Sequence, residues 1–181
     1  WGSVDLDGPV TSVAWSAQQY WLVGAGHHVH CISGDGAQIL ESLDVGGGIQ
    51  SVTCSKDGSM VAVLTNDTHV RIFEWLNKSL AGNIWFQRPV RNLDFGPGSW
   101  LGLGHTEGDA NRVDLFTGQM TRTQAHEGRG QHSWPMQVEI NSALLRGTST
   151  TLKAGSAPIA VQVHTPEKEE KKSGNKIWIV L

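Results

Sequence analysis

A seven-residue stretch, Val10-Thr11-Ser12-Val13-Ala14-Trp15-Ser16, returns as Ile49-Gln50-Ser51-Val52-Thr53-Cys54-Ser55 and again as Val90-Arg91-Asn92-Leu93-Asp94-Phe95-Gly96. The copies begin at positions 10, 49 and 90, so they stand 39 and 41 residues apart. Self-similarity at such a period implies stacked copies of one supersecondary unit, none of which buries its apolar face alone.

The units also agree inside. After Ser55 come the turn Lys56-Asp57-Gly58, the apolar strand Met60-Val61-Ala62-Val63-Leu64, the turn Thr65-Asn66-Asp67-Thr68 and the alternating strand His69 to Trp75. Strand alternation puts Val70, Ile72 and Glu74 on one side of that strand and Arg71, Phe73 and Trp75 on the other. Leu76 to Phe86 then supplies a turn and a fourth strand. Unit one repeats this order with Tyr20 to Gly24, His28 to Ile32 and Gln38 to Leu43; unit three does so with Trp100 to Gly104, Arg112 to Phe116 and a short strand after Thr117-Gly118-Gln119.

A period of about 40–45 residues carrying four strands is the length of one propeller blade. The segments Val10 to Ser16, Ser55 to Phe73 and Val113 to Gln119 resemble the WD-repeat family over roughly residues 1–125. The resemblance is degenerate. No boundary carries the family's Gly-His pair, and Phe73-Glu74 stands where unit two would have Trp-Asp. The implied fold class is all-β, a WD-repeat-like β-propeller with about three four-stranded blades.

Residues 1–130 are assigned to these blades, with Trp1 to Leu6 as the outer strand of a preceding one. Residues 131–181 are expected to form a divergent fourth blade or a β appendage. Within it, Trp134 to Ile140, Ile159 to His164 and Lys176 to Leu181 read as strands, Leu144 to Ala157 shows no helical periodicity, and the mixed charges of 167–174 read as a solvated loop. Propellers typically close with about 4–8 blades. The missing ones are therefore expected from a longer polypeptide, a second copy or another subunit.

Composition narrows the function. The net charge of −3 gives no field favouring nucleic acid or an anionic membrane, and no apolar run approaches the ~20 residues needed to span one. Two cysteines, Cys31 and Cys54, make no disulfide framework, which points to a reducing, intracellular setting, the cytoplasm being expected.

Chemistry-bearing residues are few. His28 and His30 share one strand face with Cys31 opposite, which is at most half of a tetrahedral metal site. His105, Glu107 and Asp109 sit in a polar turn, and His126 and His132 flank a Gly-rich loop. Gly-x-Ser-x-Gly is absent, and neither Gly34-Asp35-Gly36 nor Gly46-Gly47-Gly48 opens a phosphate-binding helix. No catalytic, cofactor-binding or metal residue is assigned.

The expected function is a non-catalytic protein-interaction scaffold within a larger protein or multi-subunit assembly. A ribonucleoprotein or nucleic-acid-associated subunit, and a propeller enzyme with a metal at the His-rich turn, are the alternatives. Asp7, Arg88, Trp100 and Trp134 are the expected partner-binding residues. Other protein subunits are the expected partners; nucleic acid is not indicated, and no membrane is expected.

Overall fold

The structure is a computed structural model that describes residues 3–66, 68–106, 109–124, 135–145 and 175–178. Strand β1 (Ser3–Leu6) comes first. Blade one follows as β2 (Val10–Ser16), β3 (Tyr20–Ala25), β4 (His28–Ser33) and β5 (Ile39–Asp44). Blade two is β6 (Ile49–Cys54), β7 (Met60–Thr65), β8 (His69–Glu74) and β9 (Ser79–Phe86); blade three is β10 (Val90–Phe95), β11 (Trp100–His105), β12 (Asp109–Asp114) and β13 (Met120–Gln124). After them come β14 (Pro135–Ile140), a single helical turn α1 (Ser142–Leu145) and β15 (Asn175–Trp178). Within each blade consecutive strands pair antiparallel, so the all-β propeller-blade reading holds.

Blade two shows why the blades stack. All six side chains of β7 are buried, a pattern expected only of a central strand covered on both faces. Val61 and Val63 join Phe73 and Trp75 against Tyr20, Leu22, Val29 and Cys31 of blade one. Met60, Ala62 and Leu64 join Val70 and Ile72 against Leu93, Leu101, Leu103 and Val113 of blade three. One alternating strand thus feeds two interfaces, and each buried aliphatic side chain contributes about 1.5–3 kcal/mol. The division of Val70 and Ile72 from Phe73 and Trp75 is the one expected from period-two alternation.

The repeat extends to backbone irregularities. Each first strand breaks register at the same place, between Val10 and Ser12, between Ile49 and Ser51, and between Val90 and Asn92. A bulge raises local twist, so three equivalent bulges bend the inner edges alike. The backbones of neighbouring blades approach closest at these first strands, β2 against β6 and β6 against β10. The blades therefore fan from a common inner edge.

Acidic side chains close the outer turns. Glu74 accepts hydrogen bonds from the amides of Leu76 and Asn77 at 3.0 and 2.9 Å. Asp114, 40 positions later in the sequence, accepts from Phe116 and Thr117 at 2.8 and 3.2 Å. This turn ends β12 at Asp114, whereas the sequence extends that strand to Phe116; the amides of Phe116 and Thr117 are taken by the carboxylate instead of a ladder.

The C-terminal strands go to two places. β14 adds a fifth strand to blade two by pairing with β9, Val138 opposite Ile84, which covers an otherwise open edge. β15 pairs with β1, Ser3 opposite Trp178, in a separate two-stranded sheet. Val4 and Leu6 of that sheet pack on Val23, Ala25 and Ile32 of blade one. The helical turn of α1, where the sequence shows no helical periodicity, seats Leu145 in the cluster between blades two and three. The strand expected over Ile159 to His164 and the charged loop at 167–174 lie outside the described residues.

Candidate interaction surfaces

The stack ends in two incompletely covered faces. On blade one the β1–β15 sheet reaches Val23, Ala25 and Ile32 but leaves the inner strand open, with Val13 52% and Trp15 48% exposed. Trp15 rests edge-on against Trp21 with ring centroids 4.6 Å apart. Exposed aromatic surface of this kind is a recurrent anchor for partners.

Blade three presents the other face. Gly102 and Gly104 of β11 carry no side chain there, and a groove of about 750 Å³ forms between Asn92, Asp94, Trp100, Ala110 and Arg112. The Arg112 guanidinium lies 3.4 Å over the Trp100 ring, a cation–π stack that flattens both groups along the wall. Trp100 is thus half-buried beneath Arg112, and Trp15, which sequence reasoning did not single out, is the more open of the two.

Arg88 is half-buried in the turn between β9 and β10, some distance along the sequence from either face. Trp134 lies outside the described residues. The four residues selected from sequence are therefore not gathered into one patch among the described residues: Asp7 and Trp100 belong to opposite ends of the stack.

Asp7 takes part in a separate cluster. It leaves β1 in a loop whose next residue, Gly8, lies against the backbone of Gly26: a Cβ on Gly8 would stand 2.8 Å from both Gly26 Cα and N. That close approach, with Gly26 at φ +57°, brings the loop onto the β3–β4 turn. Asp7 Oδ1 consequently lies 3.0 Å from His30 Nε2, and its Oδ2 meets His28 Nδ1. His30 is buried and its Nδ1 lies 2.8 Å from Ser42 Oγ on β5. Burial would raise the Asp7 pKa, but the His30 hydrogen bond and the charges of His28 and His30 outweigh it and leave the carboxyl below its ordinary value. Sequence alternation joined the two histidines; nothing in it marked Asp7 as their third member.

The other His-bearing turn is organised differently. His105 is buried at the end of β11, its ring edge-on to Phe86 at 5.0 Å and its Nε2 2.9 Å from Asn111 Nδ2. Burial lowers its pKa, against the pull of the Pro89 backbone and Asp109, and so favours the uncharged ring in this interior position. Glu107 lies outside the described residues, as do His126 and His132.

No described helix is long and apolar enough to cross a membrane. The three fanned sheets define the fold class as WD-repeat-like β-propeller blades. Similar architecture is found in a solved structure described as "Crystal Structure of Mitotic Checkpoint Complex", with a TM-score of 0.58 and 19% identity. The match covers 70% of this chain and 41% of that one, so this chain spans less than half of its neighbour's length. No family model and no curated protein matches the sequence.

Proposed function

We propose that this chain is a non-catalytic scaffold, part of a larger propeller that holds protein subunits together inside the cell. The observation that carries this reading is the open face of blade three, where Trp100 and Arg112 wall a groove that two glycines leave empty. A finished blade face buries such surface against the next blade, as β7 does on both sides. We assign the two end faces to further blades, from the same longer polypeptide or from another chain, and the inter-blade loops to partner subunits. The free thiols Cys31 and Cys54 support a reducing compartment.

The experiment is affinity purification of the full-length polypeptide with quantitative mass spectrometry, alongside light scattering of the 181-residue chain. A stoichiometric protein partner, diminished in Arg88→Glu in the turn between blades two and three with the far-ultraviolet dichroism unchanged, supports the scaffold. A partner-free, monodisperse monomer whose properties ignore Arg88→Glu contradicts it. Salt-dependent retention of RNA in place of protein would favour a ribonucleoprotein role instead.

A further inference from the structure

Asp7, His28 and His30 offer one carboxylate oxygen and two imidazole nitrogens that all lie within 4.8 Å of one another. In a tetrahedral zinc site with bonds of about 2.0–2.1 Å, neighbouring donors stand about 3.4 Å apart. Asp7 Oδ1 and His30 Nε2, 3.0 Å apart, already stand close to that spacing.

Three features distinguish it from a solvated ion pair. His28 Nδ1 is buried against Asp7 Oδ2, and no hydrogen bond satisfies it beyond that ion pair. His30 is 5% exposed, and its second nitrogen is engaged by Ser42 Oγ, the outer-sphere contact that orients a ligating imidazole and fixes its tautomer. The two rings, 5.8 Å apart between centroids, project from one face of β4, so the strand itself sets their separation.

We propose that Asp7, His28 and His30 form a zinc-binding site that ties the loop after β1 to blade one. His28 binds through Nδ1, His30 through Nε2 and Asp7 through a carboxylate oxygen. Neutral imidazole and carboxylate are the nitrogen and oxygen donors that zinc takes, and three of them leave a fourth position for water or for a side chain of a partner. The site lies beside the β1–β15 sheet, so bound metal fastens that sheet to the stack. His27, adjacent in sequence, is not among the donors and serves as the control.

The test is zinc titration of the 181-residue chain by calorimetry at pH 7.5, cobalt(II) absorption, and imidazole nitrogen NMR of the wild-type protein. The expected result is one zinc per chain, tetrahedral cobalt bands, and zinc-dependent shifts at His28 Nδ1 and His30 Nε2. Asp7→Asn and His28→Gln should each weaken binding at least about tenfold, Ser42→Ala by about tenfold, and His27→Gln not at all. Absence of stoichiometric zinc on the wild type overturns the proposal, as does zinc that leaves those two nitrogens unshifted. The NMR readout uses the unmutated protein, so a variant that fails to fold does not blunt the test.

Discussion

The Ser12 hydroxyl of blade one accepts a hydrogen bond from the Val52 amide of blade two at 2.9 Å, joining equivalent first strands 40 residues apart. Both strands are the inner edges of their sheets, where backbone donors have no further strand to pair with. Ser12→Ala removes the acceptor and is expected to cost about 1 kcal/mol. Urea denaturation measures it, with the valine amide losing hydrogen-exchange protection in the same variant.

Leu64 is 1% exposed in the seam between blades two and three, whereas Leu76 is 83% exposed at a turn. Leu64→Ala is expected to destabilise by about 2–5 kcal/mol and Leu76→Ala by no more than about 0.5 kcal/mol. Comparable midpoints for the two variants would mean that the seam is not the core.

Asp57 titrates below its ordinary value because the Ser55 hydroxyl bonds its Oδ1 at 2.6 Å and the Ser59 amide and hydroxyl add to this, together outweighing burial. A carboxyl whose folded pKa lies below its unfolded one stabilises the fold above the unfolded value. That contribution is lost as the pH falls through the folded one. Asp57→Asn is therefore expected to be less stable than wild type near neutrality, with the difference shrinking as the pH falls below about 3.8. Denaturation across a pH series checks this; a difference independent of pH would contradict it.

The Cys31 thiol is pushed up to about 11 by burial, with the Glu41 carboxylate adding and Lys78 opposing. Little thiolate exists at pH 8, and the sulfur is 3% exposed with its residue. An aromatic disulfide reagent should modify half-buried Cys54 first and Cys31 only on unfolding. Equal rates in the folded protein would contradict the packing of β4 against blade two.

Much of this architecture is written locally. β2, β6 and β10 follow from one recurring apolar pattern, and the opposed faces of β8 follow from strict alternation. What escaped sequence reasoning depends on contacts distant along the chain. The strand at Pro135–Ile140 is legible as a strand, but its partner is decided by the open edge of β9, about fifty residues earlier. β1 and β15 are each legible, yet their pairing joins Ser3 to Trp178. The three bulges leave no compositional mark, because Thr11, Gln50 and Arg91 share no chemistry.

The Asp7 cluster divides the same way. His28 and His30 sit two residues apart on one strand, and their shared face is a matter of periodicity. Asp7 reaches them only because two glycines, Gly8 and Gly26, let separate backbones touch.

The central claim is that three sheets fan outward from converging first strands. Double electron–electron resonance tests it most directly, in a background with Cys31 and Cys54 replaced by alanine. One label pair occupies the inner strands at Val13 and Arg91, and the other the outer strands at Leu40 and Thr121, all exposed positions two blades apart. The account predicts a clearly shorter distance for the inner pair than for the outer. Equal distances, as sheets stacked face to face would give, would contradict it.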